Sequence, residues 1–288
     1  MMSELSQSYT YCERLARQQA GNFFHAFRVL PAPKRRAMCA LYAFFRITDD
    51  LTDGPQEIDV KRTLLADWRG QLDRALEASY QHPLHAALHD IVDHYRIPRR
   101  YLDDVLDGVA MDLEQSRYQT FDELYRYCYR VAAAVGLSCI HIWGFTGAEA
   151  CRYAESAGIA FQLTNILRDL AEDAGRDRVY LPAEDLARFG YREEDLRAGL
   201  RNDAFRELMR YQVERAKDYY ERSAPLTRHL DASGRAIFLV MSRTYRGLLE
   251  EIERRGYDVF TSRVRLSRWH KLGLALQALP VRWGLLTG

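Results

Sequence analysis

Apolar residues recur along this chain at intervals of three and four positions, the spacing that gathers side chains on one face of a helix. No stretch alternates apolar and polar residues as a half-buried strand does. Proline and glycine divide the pattern into segments. The predicted helices are 34–53, 57–80, 84–95, 99–116, 121–145, 148–173, 202–222, 233–255 and 262–279. The pattern therefore predicts an all-α protein.

The 288 residues contain no repeat of fixed period and no Ser/Gly-rich linker that would separate two cores. We therefore predict a single helical domain over residues 1–288. The 41 lysines and arginines almost balance the 40 aspartates and glutamates, so the chain has no strong overall charge that would attract nucleic acid. Any recognition by charge must be local.

Targeting and metal-binding cysteine patterns are absent from the sequence. The five cysteines are scattered without zinc or disulfide spacing, which is typical of small buried residues in a reducing cytosol. The first residues lack the apolar core of a signal peptide, so we predict a cytoplasmic protein. Residues 269–286 are apolar but interrupted by Pro280. We expect them to pack on the domain, and peripheral contact with the cytosolic face of a membrane is the alternative.

Acidic residues continue the apolar face of the predicted helix 34–53. Asp49 and Asp53 follow three apolar positions on one stripe, and Asp50 lies beside them. The stripe is Met38, Tyr42, Phe45, Asp49 and Asp53. Burying a carboxylate is costly unless it is paired or coordinates a metal. The alternative is that the three acids end the helix on a solvated turn, although acids at a helix C-terminus oppose the macrodipole.

A second stripe, on the predicted helix 148–173, changes from small residues to amides and then to carboxylates. Its members are Cys151, Ala154, Gly158, Gln162, Asn165, Asp169 and Asp173. The other faces of this helix are apolar, so the helix should be buried and its polar stripe should face an internal cavity. An ordinary hydrogen-bonded core amide could explain Gln162 or Asn165 alone, but not the whole row.

Two acidic helix faces that point into one bundle predict a magnesium site for phosphates. Mg²⁺ prefers oxygen ligands and is usually held by a few carboxylates together with substrate phosphate oxygens. Histidine and cysteine at ligand spacing, which zinc would require, are absent. Arg46 and Arg168 lie beside the acids and can bind phosphate oxygens. The candidate metal ligands are Asp49, Asp50, Asp53, Asn165, Asp169 and Asp173.

Three segments resemble the signature segments of squalene/phytoene synthases. They are YAFFRITDDLTD (42–53), YCYRVAAAVG (127–136) and FQLTNILRDLAEDAGRDRVYLPAEDL (161–186), and the similarity extends over about residues 11–265. Two acidic motifs in this order, with a tyrosine segment between them, are more specific than a single DxxxD motif. The resemblance implies an isoprenoid-synthase helical bundle with a central cavity and a core at about 11–265.

The resemblance also implies an activity, the Mg²⁺-dependent head-to-head condensation of two allylic prenyl diphosphates, farnesyl or geranylgeranyl, through a cyclopropylcarbinyl diphosphate. It gives Asp49, Asp53, Asp169 and Asp173 metal-binding roles and gives Tyr127 a role in deprotonation or in stabilising a carbocation. The positions that match diphosphate-binding residues are Arg46, Gln162, Asn165, Arg168, Tyr245 and Arg263. The positions expected to line the prenyl-chain cavity are Phe23, Phe27, Val131 and Val135.

One segment departs from the family pattern. Where many relatives have Ser-x-Ser-Phe near the first substrate, this chain has Ala20-Gly21-Asn22-Phe23, so the phosphate contacts of Asn22 and the identity of the product stay open. The sequence has no dinucleotide fingerprint of the G-x-G-x-x-G type after a strand, so NADPH is not predicted, although a reductive product stays an alternative. The cyclopropyl intermediate could also be the final product.

Three other functions share some of these features. An enzyme that converts the cyclopropyl diphosphate to an alcohol would use most of the same residues. A terpene cyclase shares the spacing of Asn165, Asp169 and Asp173, but not the YCYRVAAAVG segment or Arg168. A non-catalytic assembly factor of the same fold would be expected to lose the aspartates. The sequence does not predict the oligomeric state or the length of the prenyl chain.

Overall fold

The computed structural model describes residues 3–267, together with Gly273 and Val281. Over these residues the chain forms helices joined by short connections, and no strand is present. The helices are α1 (Glu4–Gln19), α2 (Asn22–Phe27), α3 (Ala32–Asp53), α4 (Ile58–Leu76), α5 (His85–His94), α6 (Arg99–Glu114), α7 (Phe121–Cys128), a π-helical segment (Tyr129–Ala133), α8 (Ala134–Trp143), α9 (Glu149–Gly175), α10 (Ala183–Arg188), α11 (Glu193–Arg197), α12 (Asp203–Ser223), α13 (Leu226–His229) and α14 (Ala232–Arg254). The predicted all-α class is confirmed.

The sequence pattern missed the first helix because its buried face is made of small residues. Ser8, Cys12 and Ala16 lie on that face, and none of them gives the signal of a large apolar side chain. The helix begins at a side-chain cap, since the hydroxyl of Ser3 accepts a hydrogen bond from the backbone N–H of Ser6 (3.3 Å). The short helices α2, α10, α11 and α13 were also not predicted. They span too few turns to show a periodic pattern.

The predicted helix 121–145 is interrupted by the π-helical segment. This segment inserts an extra residue into the helical register, so Val131 and Val135 stay half-buried whereas Ser138 is fully buried. Neighbouring helices approach it through glycines. A Cβ atom on Gly108 of α6 would come within 2.8 Å of Val131, and one on Gly158 of α9 would come within 2.5 Å of the Ala133 backbone. The glycines therefore let α6 and α9 lie directly against the segment.

The predicted helix 262–279 is wrong at its start, because residues 262–267 are not helical. Most of the remainder lies outside the described residues. Val281, within the apolar stretch 269–286, is buried and belongs to the core, which agrees with packing on the domain at that position. Among the helices that the structure describes, none is both long and apolar enough to cross a bilayer.

The core consists of two clusters of buried apolar side chains on either side of the π-helical segment. One cluster draws on α1, α3, α5 and α6, and the other on α7, α9, α12 and α14. Tyr129 and Phe161 are half-buried and pack against both clusters. The acids described below lie on α3, α6 and α9 and Tyr127 lies on α7, while Tyr180, Tyr245 and Arg263 reach the site from other parts of the chain.

Candidate active site

The first acidic cluster lies in the last two turns of α3. Asp49, Asp50 and Asp53 all keep solvent-accessible surface. Arg46 is paired with Asp50, and its Nε donates a hydrogen bond to Oε1 of Gln19 at the end of α1 (3.0 Å). The guanidinium group of Arg46 is therefore held between α1 and the acids.

Asp49 is accessible to water and nevertheless strongly affected by the surrounding protein. Burial, and after it the charge of Asp53, raises the pKa of Asp49 to about 7. A side chain combines solvent access with desolvation where it lines a concave surface. Upstream on the same stripe, Met38 and Phe45 are buried and Tyr42 is half-buried. The apolar part of the stripe therefore packs in the core, and the three acids at its end are exposed.

The second cluster follows the predicted stripe of α9. Ala154 and Gly158 are buried against neighbouring helices, and the polar members of the stripe are half-buried. These polar members are Gln162, Asn165, Asp169 and Asp173. Asn165 donates to Oε1 of Gln162 (3.3 Å), and its own carbonyl oxygen is buried without a hydrogen-bond partner among the described residues. The row of small residues, amides and acids is thus arranged as the sequence indicated.

Two arginines hold Asp169 from both sides. Arg168 donates to both of its carboxylate oxygens, and Arg263 does the same from Nε and Nη2 (2.9 Å each). Although burial alone would raise it, these hydrogen bonds lower the pKa of Asp169. No arginine pairs with Asp173 in this way within the described part of the chain, and burial, together with the charges of Asp169 and Glu172, raises its pKa to about 7. Adjacent turns of α9 therefore carry one carboxylate that is paired with two arginines and one whose pKa is raised.

Tyr127 belongs to a buried tyrosine cluster that contacts a third acid, Asp112, which was not among the predicted site residues. Its ring stacks on Tyr180 with centroids 5.1 Å apart, and Tyr118 packs within 6 Å of both rings. The hydroxyls of Tyr127 and Tyr180 donate to the two oxygens of Asp112 on α6, at 3.1 and 2.9 Å. Burial raises the pKa of Tyr127 well above its usual value, so its phenol stays protonated. Burial also raises the pKa of Asp112.

Asp112 connects the two predicted clusters. Its charge helps to raise the pKa of Asp49, and Asp53 in turn acts on Asp112. On the other side, Arg178 acts electrostatically on both Asp112 and Asp173. Asp112 is therefore coupled electrostatically to the first cluster directly and to Asp173 of the second cluster through Arg178.

A signal for Asp112 is present in the sequence. On α6 the residues Tyr101, Val105, Gly108 and Asp112 are spaced by four, three and four positions, and the first three are buried. An acid that continues a buried stripe is the criterion that selected Asp49. Asp107 on the same helix pairs instead with Arg69 of α4.

The remaining predicted residues divide between the site and the core. Tyr245 of α14 stacks on Phe161 at 4.6 Å and lies within hydrogen-bond reach of Asn165, so it joins the second cluster. Phe27 is buried beside Tyr42, with ring centroids 6.4 Å apart. Val131 and Val135 keep partial exposure inside the bundle, as expected of a cavity wall. The side chains of Asn22 and Phe23 lie outside the described residues.

The donor set fits magnesium better than a metal with a complete protein cage. No group of three or more His, Cys, Asp or Glu side chains is close enough to hold an ion within the part of the chain described. Among the described residues, Asp49 and Asp173 form no ion pair, and the carbonyl oxygen of Asn165 is buried without a hydrogen-bond partner. Isolated oxygen ligands of this kind suit an ion that takes its other ligands from water and phosphate.

Comparison with known sequences gives one family over nearly the whole chain. The squalene/phytoene synthase family matches residues 16–270. A 15-cis-phytoene synthase from Synechococcus elongatus is 37% identical over 283 residues, which cover 94% of this chain and 92% of that protein. A phytoene synthase from Arthrospira platensis is 38% identical over 280 residues, 93% of this chain and 91% of that protein.

Solved structures agree with the sequence comparison. A dehydrosqualene synthase crystallised with a ligand superposes with a TM-score of 0.88 at 29% identity, covering 96% of each chain. A squalene synthase from Alicyclobacillus acidocaldarius superposes with a TM-score of 0.84 at 25% identity, covering 89% of this chain and 97% of that one. The isoprenoid-synthase fold expected from the resemblance is thereby confirmed. Both acidic helices, the tyrosine segment between them and these matches place the chain in the squalene/phytoene synthase family, as a prenyltransferase.

Proposed function

We propose that this enzyme condenses two molecules of geranylgeranyl diphosphate head to head to give a phytoene-type product, with Mg²⁺ at the acidic clusters. The observation that supports the proposal is Asp112, which is hydrogen-bonded to Tyr127 and coupled electrostatically to Asp49 and Asp53 and, through Arg178, to Asp173. The C20 substrate is supported by the relatives named phytoene synthase, which match along more than nine-tenths of both chains.

Each acidic cluster has arginines that can bind a diphosphate. Arg46 stands beside Asp50, and Arg168 and Arg263 converge on Asp169. Guanidinium groups bind phosphate oxygens through paired, charge-assisted hydrogen bonds. A diphosphate arriving at α9 would therefore exchange contacts with Arg168 and Arg263, freeing the carboxylate of Asp169. Bound Mg²⁺ would supply charge neutralisation to the leaving diphosphate.

The proposed reaction breaks one C1–O bond, and its electron pair leaves with the diphosphate. The double bond of the second substrate then attacks the allylic cation, and transfer of a proton to the released diphosphate closes the cyclopropane ring. Ionisation of the second diphosphate, rearrangement and transfer of another proton to a released diphosphate give the hydrocarbon without a reductant.

The tyrosine cluster is suited to stabilising the cations. Because Tyr127 is held protonated, it does not act as an anionic base; the stacked faces of Tyr127 and Tyr180 instead offer electron-rich surfaces to a cation. The negative charge of Asp112, hydrogen-bonded to both phenols, strengthens that effect. The structure thus favours cation stabilisation over direct deprotonation as the role of Tyr127.

Product mass tests the proposal. Purified enzyme is incubated with Mg²⁺ and either farnesyl or geranylgeranyl diphosphate, with and without NADPH. The masses of the extracted lipids are then measured by mass spectrometry. We expect geranylgeranyl diphosphate to give a C40 hydrocarbon with a central triene, both in the presence and in the absence of NADPH. A product with the carbon number of one substrate would point to a cyclase, and an accumulated cyclopropyl alcohol would point to hydrolysis of the intermediate.

A further inference from the structure

A basic pocket lies where α1, α2 and α3 meet. Its volume is about 570 Å³, within the range of small-molecule binding sites. Among the described residues it is lined by Arg17, Phe24, Arg28 and Arg35. The sequence analysis did not assign a role to any of them.

The three arginines have no acidic partner in the part of the chain that the structure describes. Glu13 lies near the pocket, since it acts electrostatically on Cys39 as Arg17 and Arg35 do. That carboxylate is already engaged, because Arg36 binds it at 3.1 Å. Three convergent guanidinium groups without a counter-charge repel one another. An anion in the pocket would remove this repulsion.

Phe24 gives the pocket an apolar wall next to the charges. Its ring is half-buried and lies 5.9 Å from the guanidinium carbon of Arg17, a distance at which the ring face attracts the cation. This contact orders Arg17 at the edge of the pocket. A ligand with an anionic group and an apolar or uncharged remainder would complement both surfaces.

The Arg35 end of the pocket lies away from the first acidic cluster. Arg35 and Asp49 lie on the same helix, fourteen residues apart. At a rise of 1.5 Å per residue, this separation corresponds to about 21 Å along α3. A diphosphate that binds Arg35 therefore cannot also contact Asp49, although Arg17 is only two residues from Gln19, the hydrogen-bond partner of Arg46.

We propose that this pocket binds a phosphate or diphosphate group through Arg17, Arg28 and Arg35. Arginine is the side chain best suited to paired contacts with phosphate oxygens, and three of them can neutralise a doubly charged group. The group could belong to a soluble diphosphate or to the headgroup of an anionic phospholipid at a membrane surface. The inference stands on the pocket alone and does not depend on the proposed catalytic activity.

Binding measurements on the full chain test this inference and separate the two sources. Inorganic diphosphate is titrated by calorimetry in EDTA, which removes metal-dependent binding at the aspartates. Flotation with phosphatidic acid vesicles, against phosphatidylcholine vesicles, tests the lipid source. The variants are Arg28→Gln, Arg28→Gln with Arg35→Gln, and Arg228→Gln, an exposed arginine on α13 that serves as the charge-matched control.

We expect the double variant to bind one of the two ligands at least tenfold more weakly than wild type, and the Arg228→Gln control to bind it as wild type does. The ligand whose binding is weakened shows whether the anionic group belongs to a soluble diphosphate or to a phospholipid. Thermal melts establish whether each variant is folded. If the double variant does not fold, the binding of the single variant Arg28→Gln is compared with wild type instead. Wild-type protein that binds neither ligand, or folded pocket variants that bind both as wild type does, would overturn the inference.

Discussion

Replacing Gly158 by alanine should separate α9 from the π-helical segment. The added Cβ would lie 2.5 Å from Cα of Ala133 and 2.7 Å from the carbonyl oxygen of Ala132. Ordinary contacts between such atoms are about 3.5–4.0 Å. Both neighbours are backbone atoms and cannot rotate away, so the two elements must move apart by about 1 Å.

The magnitude follows from two opposing effects. Overpacking of this kind costs about 1–3 kcal/mol or more, and alanine recovers up to about 1 kcal/mol of helix propensity relative to glycine. We therefore expect a net destabilisation of about 1–2 kcal/mol, which for a chain of this length lowers Tm by about 2 °C per kcal/mol. Asp169 and Asp173 lie on α9 and would move with it, so a 1 Å shift of this helix should also reduce kcat about a hundredfold.

Thermal unfolding and the rate of diphosphate release from geranylgeranyl diphosphate measure both effects. Gly70→Ala is the matched control, since the nearest atom to its new Cβ is the end of the Arg74 side chain at 3.5 Å. The control should gain about 0.5–1 kcal/mol and keep wild-type activity. If Gly158→Ala were as stable and active as Gly70→Ala, the close contact between α9 and the π-helical segment would be refuted.

Two further substitutions test the site and the stability of the fold. Asp112→Asn should lower kcat by about a hundredfold or more, because it removes the charge behind Tyr127 and Tyr180. Asp107→Asn, which removes a charge of the same helix that pairs with Arg69 of α4, should stay near wild type in the same assay. His85 is 1% exposed, and burial lowers its pKa from 6.5 to about 4. As the pH decreases, the imidazole is protonated in the unfolded chain at a higher pH than in the folded protein. The free energy of unfolding should therefore fall by about 3 kcal/mol between pH 6.5 and pH 4. His85→Asn keeps an acceptor for the backbone N–H groups of Gln81 and His82, and denaturant titrations at several pH values should show that it loses this pH dependence.

Equal kcat values for Asp112→Asn and Asp107→Asn would show that the tyrosine cluster works without the buried charge. For the histidine, an unchanged slope of stability against pH in His85→Asn would assign the acid sensitivity to other groups. Neither result depends on the length of the prenyl substrate.

The two acidic helices could be predicted because their information is local. On α3 and α9 the apolar residues and the acids share one face at helical spacing, and burial of the small residues Ala154 and Gly158 follows from the same stripe. Periodicity of this kind fixes which side chains lie together on one helix. It also gave the ends of α3 within a few residues.

The contacts between helices could not be predicted in this way. Tyr180 reaches Asp112 from 68 positions away, and Arg263 reaches Asp169 from 94. Such pairings depend on how the helices of the bundle pack, and they produce no periodic pattern in the sequence. The π-helical segment has no proline or local breaker either, so a continuous helix over 121–145 was the natural expectation.

The most direct test of the account measures inorganic diphosphate released from geranylgeranyl diphosphate as a function of Mg²⁺ concentration. Wild type is compared with Asp49→Asn and Asp169→Asn, and Asp203→Asn, whose carboxylate is fully exposed, is the control. We predict no release in EDTA, saturable activation by Mg²⁺, and a loss of about a hundredfold or more in each site variant but not in the control. Release that continues at the wild-type rate without metal, or in both site variants, would contradict the central claim that these two clusters hold the reacting diphosphates.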